Sequence, residues 1–131
     1  MRVRLLVSGL AFFTVAVLLA ALPVAANGTI ACTVRGTSGN DFLIGTGGSD
    51  VICGYGGNDV ITGLSGNDYL YGGSGADVIY GDLGRDWLYG GRGNDRLYAR
   101  DSMRDHVYGG RGYDHASDDT PADLLFSVES H

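Results

Sequence analysis

The chain has 131 residues, among them 23 glycines, two cysteines and no lysine, and 15 acidic residues against nine arginines give a formal net charge of −6. Once a leader is set aside, this length holds a single domain, and the acidity excludes nucleic acids and anionic membrane surfaces as partners. Glycine without a three-residue period, and only two prolines, exclude a collagen-like triple helix.

Residues 1–26 read as a secretory signal peptide. Arg2 and Arg4 precede an apolar stretch from Leu5 to Leu22, and Val24, Ala25 and Ala26 supply small residues for cleavage before Asn27. An uncleaved transmembrane anchor is the competing reading, because the stretch approaches the length of a bilayer span. Pro23 and the small residues after it favour cleavage, so the mature chain is expected to be secreted, extracellular and free of membrane. Residues 27–35 form a lead-in, where Asn27-Gly28-Thr29 reads as an incidental glycosylation sequon. Cys32 and Cys53 are the only cysteines, and an even count in an exported chain predicts a disulfide that fastens the lead-in over the segment around Cys53.

Residues 36–117 fall into nonads. Aspartate recurs every nine positions at Asp41, Asp50, Asp59, Asp68, Asp77, Asp86 and Asp95, with glycine at the first and fourth places of each of the seven units and aspartate at the sixth. The eighth place is always aliphatic: Leu43, Ile52, Ile61, Leu70, Ile79, Leu88 and Leu97. A short period that carries both turn and core residues means a stacked solenoid, since low-complexity disorder would not keep an aliphatic residue in register. The next unit, 99–108, is ten residues long and has no glycine. In it Arg104 takes the expected aspartate place, Asp105 arrives one residue late and Asp101 is a replacement candidate. A proper GGRGYD loop then ends at Asp114, which requires the extra residue to bulge out. Residues 118–131 are expected to cap the stack, with Leu124, Leu125, Phe126 and Val128 covering its open end.

The pattern G-G-x-G-x-D-x-U-x over residues 36–117 resembles the repeats-in-toxin (RTX) nonapeptides, which are calcium-binding repeats. The resemblance implies an all-β fold, a right-handed parallel β-roll with two nonads per turn, each nonad giving a six-residue glycine loop and a three-residue strand. Calcium takes six to eight oxygen ligands, and each loop offers a carboxylate and backbone carbonyls. With two nonads per turn, residues eighteen apart stack. Asp41, Asp59, Asp77 and Asp95 then form one column, and Asp50, Asp68 and Asp86 the other. At a strand spacing of about 4.8 Å the like charges repel, and a divalent cation between successive loops removes the repulsion. Several calcium ions are therefore expected between 41/59, 59/77, 77/95, 50/68 and 68/86, with Asp114 extending the first column and Asp105 or Asp101 the second. Asn40, Asn58, Asn67 and Asn94 are expected to shape their loops by local hydrogen bonds. Without calcium, the glycine-rich chain with its thin core is expected to be largely disordered, so that folding accompanies binding.

Outward strand positions predict that Tyr71 stacks on Tyr89, with Tyr69 and Trp87 beside them, and Tyr80 on Tyr98. Such ladders stabilise sheets. They also suggest an alternative: an adhesion or carbohydrate-binding face for an extracellular polysaccharide or protein, flanked by Arg85, Arg92, Arg96 and Arg111, in which calcium only builds the scaffold. An enzyme is not expected. The chain lacks a G-x-S-x-G elbow and an H-E-x-x-H motif, and His106 and His115 occupy outward strand places.

Overall fold

A computed structural model describes residues 30–118 and 124–127. The leader, the first residues of the lead-in with the sequon, and Val128 lie outside the described residues. The compact unit of repeats begins at Cys32. Its strands are β1 (Val34–Arg35), β2 (Phe42–Ile44), β3 (Val51–Gly56), β4 (Val60–Thr62), β5 (Tyr69–Ser74), β6 (Val78–Tyr80), β7 (Trp87–Arg92), β8 (Arg96–Ala99), β9 (His106–Arg111), β10 (His115–Asp118) and β11 (Leu124–Phe126). Odd and even strands segregate into two parallel sheets, ordered β1-β3-β5-β7-β9-β11 and β10-β8-β6-β4-β2. This is the parallel β-roll that the nonads imply. No helix among the described residues is long and apolar enough to cross a membrane.

The register follows the period. Leu43 pairs with Ile61 and Ile61 with Ile79, while Ile52 pairs with Leu70 and Leu70 with Leu88, so each eighth-place residue sits directly over its counterpart eighteen residues on. Beyond the ten-residue unit the offset becomes nineteen, with Trp87 against His106 and Arg96 against His115. The extra residue is absorbed before β9, where Ser102 turns to a positive φ of 69°. The core is correspondingly narrow. Ile52, Ile61, Leu70, Ile79, Leu88, Leu97 and Val107 are fully buried in one cluster, which Leu43 opens at the N-terminal end.

The two sheets differ in a way that the nonad does not announce. The even strands β2, β4 and β6 have the expected three residues, whereas β3, β5, β7 and β9 have six and run on into the following loop. There Tyr55 pairs with Gly73, Gly73 with Gly91 and Gly91 with Gly110. Doubled glycines at 72–73, 90–91 and 109–110 let neighbouring backbones close up at that edge. On the opposite edge Leu64 and Asp82 hold the second place, and only an isolated bridge between Ser65 and Leu83 forms.

The ends also depart from expectation. Leu124, Leu125 and Phe126 do not lie across the core as a lid. They form β11, one further rung on β9, and remain 39–43 % exposed. A rung satisfies the hydrogen-bonding groups along the free edge of β9, which a lid of side chains would leave unpaired. At the other end β1 adds a rung to β3 alone, and Phe42 on β2 stays 69 % exposed. Val51 and Cys53, on either side of the inward Ile52, are buried beneath this lead-in. Thr33 clasps Val51 by its hydroxyl, which accepts from the Val51 amide at 2.9 Å and donates to the Val51 carbonyl at 3.1 Å. Cys32 and Cys53 are joined in the structure, with their Cα atoms 6.0 Å apart and a sequence separation of 21. Closing a loop of that size removes roughly 3 kcal/mol of chain entropy from the unfolded state. Alkylation of an unreduced sample should find both cysteines blocked, and reduction should lower the denaturation midpoint by a corresponding amount. Free thiols in the unreduced chain would contradict this.

Candidate metal centre

Each loop returns the chain from one sheet to the other and ends on its aspartate, whose side chain turns in beneath the loop. Asp59, Asp68, Asp77, Asp86, Asp95 and Asp114 are at most 2 % exposed. Their two carboxylate oxygens have different surroundings. The first, Oδ1, accepts a hydrogen bond from the aspartate amide one turn earlier: Asp41 donates to Asp59, Asp50 to Asp68, Asp59 to Asp77, Asp68 to Asp86 and Asp77 to Asp95, at 2.8–2.9 Å. Asp86 donates to Asp105 at 2.9 Å and Asp95 to Asp114 at 3.0 Å, so the structure brings both of these late aspartates into the columns despite the irregular unit between them.

The second oxygen, Oδ2, is buried without a hydrogen-bond partner in Asp59, Asp68, Asp77, Asp86, Asp95 and Asp114. It faces the bare flank of the glycine that opens its own loop. A methyl group on Gly54 would come within 2.3 Å of Asp59 Oδ2 and 2.5 Å of the Gly72 carbonyl oxygen in the next turn. At Gly63 the corresponding contacts are Asp68 Oδ2 at 2.4 Å and the Gly81 carbonyl at 2.7 Å, and at Gly72 they are Asp77 Oδ2 at 2.4 Å and the Gly90 carbonyl at 2.7 Å. Glycine at the first place is thus required by close approach, because a Cβ would fill the space between a carboxylate oxygen and a carbonyl oxygen.

Such burial is costly to a carboxylate. It pushes Asp68 up to about 7, Asp86 to about 8 and Asp95 to about 6, and raises Asp59 and Asp77 as well. Loss of water is the main cause. The amide hydrogen bond to Oδ1 offsets part of it, and neighbouring carboxylates, first the preceding one in the column, add to it. A buried, unpaired, negatively charged oxygen beside a carbonyl oxygen suits a hard cation, and nothing in the donor set is soft. No group of three carboxylate, imidazole or thiol side chains converges among the described residues. A calcium ion here would therefore complete its shell with backbone carbonyls, which the glycine loops supply in number.

Asp41, Asp50 and Asp101 stand apart. Asp41 Oδ2 accepts from the Thr37 amide at 2.6 Å and the Thr37 hydroxyl at 2.9 Å, and Asp50 Oδ2 from the same groups of Thr46 at the same distances. Asp101 spends both oxygens on backbone, accepting from the amides of Gly84 and Met103. The asparagines correct an expectation. Their side chains do not close their own loops but reach the next turn: Asn40 accepts from the Asn58 amide at 2.7 Å, Asn58 from Ala76 at 2.8 Å, Asn67 from Arg85 at 3.0 Å and Asn94 from Tyr113 at 3.0 Å. The amide one turn on lies a single strand spacing away and needs a partner, so the longer-range bond is the one made. Sequence spacing shows this only once the fold is known, since the fifth places of successive turns are eighteen residues apart.

The aromatic residues form the expected ladders. Tyr71 stacks on Tyr89 at 4.8 Å, continuing through Tyr108 to Phe126, while Tyr69 lies over Trp87 at 5.7 Å, Trp87 over His106 at 3.9 Å, and Tyr80 over Tyr98 at 4.8 Å. Rings stacked this way cover one another's faces and present only edges outward, so within the ladder the faces that would pack against a sugar ring are already used. Burial, with the neighbouring tyrosines, raises Tyr71 and pushes the Tyr89 hydroxyl up to about 12.

Compared with known protein families, the chain matches the RTX calcium-binding nonapeptide repeat in four overlapping copies, over residues 33–61, 54–88, 71–102 and 82–116. Searches of curated proteins and of solved structures return no match.

Proposed function

The chain belongs to the RTX calcium-binding nonapeptide repeat family, and from that premise we propose that it is a secreted protein that takes up several calcium ions between successive turns and folds as it does so. The observation that carries this reading is the row of buried, unpartnered Oδ2 atoms, which at Asp59, Asp68, Asp77 and Asp95 lie beside a carbonyl oxygen of the next turn. Asp59, Asp77, Asp95 and Asp114 would hold ions along one edge of the roll, and Asp68, Asp86 and Asp105 along the other. Bound there, calcium supplies positive charge to carboxylates that burial has taken out of water.

Folding on binding follows from the opposing contributions. Ordering the 21 glycines between Gly36 and Gly112 costs more backbone entropy per residue than ordering any other type, and one aliphatic side chain per nonad makes a thin core. Ions that bind only the folded state shift the balance. At a free concentration near 100 times its dissociation constant, each independent site contributes about 2.7 kcal/mol. Low calcium inside a cell would leave the chain unfolded and competent for export, and higher calcium outside would fold it. The leader is part of this proposal, and protein recovered from the medium should begin at Asn27 by mass.

The test is far-UV circular dichroism of the chain, titrated from chelator into millimolar calcium with magnesium as control. A cooperative gain of β signal with calcium alone is expected. Equal β structure in chelator would overturn coupled folding, and an equal response to magnesium would overturn the choice of ion.

A further inference from the structure

The first two loops differ from all the later ones, and the difference sits at the second place of the nonad. In the intact loops from the third onward that residue has a positive φ whatever its type: Tyr55 at 73°, Leu64 at 80°, Gly73 at 110°, Asp82 at 63°, Gly91 at 111° and Gly110 at 107°. The fourth-place glycines do the same from Gly57 to Gly112. In this open form the fourth-place amide leaves its own loop and donates to the turn below, as Gly66 does to the Leu83 carbonyl, Gly75 to Arg92 and Gly93 to Arg111, at 2.8–2.9 Å.

Loops 36–40 and 45–49 have threonine at the second place and are fastened on themselves. The amide and hydroxyl of Thr37 and Thr46 both donate to Oδ2 of their own aspartate. The same hydroxyls accept from the fourth-place amides of Gly39 and Gly48 at 3.1 and 3.2 Å. Each threonine thereby occupies the oxygen that stands unpartnered further down, and it diverts the amide that elsewhere opens the loop.

We infer that Thr37 and Thr46 are plugs: they satisfy the first-turn carboxylates of Asp41 and Asp50 from within the chain, so these two loops take no cation and the ion ladder begins with the loops ending at Asp59 and Asp68. The inference rests on the calcium reading and narrows it. A plugged end is useful to a stack of this kind. The terminal loop has a neighbour on one side only, so an ion there would be held by fewer ligands than one between two inner turns. Two hydroxyl and two amide donors satisfy the first carboxylate of each column without one.

The experiment is the calcium stoichiometry of the full chain by equilibrium dialysis, for wild type, Thr37→Gly, Thr46→Gly, the double glycine variant, and Thr46→Ser. Glycine at the second place is what the open loops at Gly73, Gly91 and Gly110 already carry. Each glycine substitution is expected to add an ion, whereas Thr46→Ser, which keeps the hydroxyl, should bind as wild type does. Equal stoichiometry in all five, with calcium bound, overturns the plugs and leaves the calcium reading intact. A wild-type chain that binds no calcium overturns both. Crystals of the calcium-loaded wild type give a readout that needs no variant to fold: anomalous density at Asp59 and Asp68 but none within loops 36–40 and 45–49 is expected, and an ion in either loop overturns the inference.

Discussion

Without calcium, the chain is expected to keep more β structure at about pH 5.5 than at about pH 9, and at the higher pH calcium should restore the lost part. The column carboxyls are raised in the fold, to about 6 for Asp95, 7 for Asp68 and 8 for Asp86, from an unfolded value near 4. The folded chain therefore holds protons that the unfolded chain has already released. Stability of the calcium-free roll is fullest below pH 4, declines as pH rises, and has lost this contribution once Asp86 ionises above about pH 8. A protonated Oδ2 needs no cation, whereas an ionised one lies unpartnered in a buried space. Calcium and protons thus compete for the same oxygens, so binding near pH 7 should release protons into a weak buffer, measurable by an indicator dye. A calcium-free chain that gains β structure between about pH 5.5 and 9 would show that the columns are not what limits the fold.

The same small space explains why the nonad is legible as a calcium repeat in the sequence alone. Glycine at the first place and aspartate at the sixth are demanded together, by a gap bounded by Gly72 and Asp77 in one loop and by the Gly90 carbonyl in the next. The inward eighth-place aliphatics follow from the period, whereas the eighteen-residue register, and with it the ring ladders at Tyr71 and Tyr80, follows from the two nonads per turn that the family resemblance implies. Features that depend on contacts between turns are not legible. Asn58 looks local in sequence because asparagine so often bonds its own loop, yet its side chain serves Ala76. The six-residue strands arise from pairing between doubled glycines in consecutive turns. Thr37 and Thr46 look like ordinary variation at a permissive place. The available signal is that they are the only β-branched residues at the second place in the chain's intact loops, and β-branched residues resist the positive φ adopted there by the others.

The first and second places carry different constraints, and the fourth carries both at once, so substitutions there should have opposite signs. Gly84→Ala is expected to be the most damaging single-atom addition in the repeat body. Gly84 has a φ of +136°, and a Cβ on it would fall 1.6 Å from the Gly66 carbonyl oxygen in the turn above. That neighbour is backbone held by its own ladder, so neither partner yields without separating two turns. Backbone strain and overpacking together predict a loss of roughly 2–6 kcal/mol in the calcium-loaded protein. Leu64→Gly should do the reverse. Leu64 holds a φ of 80° and is 40 % exposed, and its backbone carbonyl keeps the bond from the Leu83 amide whatever the side chain. Relief of left-handed strain exceeds the added entropy of glycine, for a net gain of about 0.5–1 kcal/mol. Thermal unfolding of the two variants in saturating calcium measures both. A Leu64→Gly variant less stable than wild type would mean that the leucine side chain, not the loop conformation, is what that position contributes.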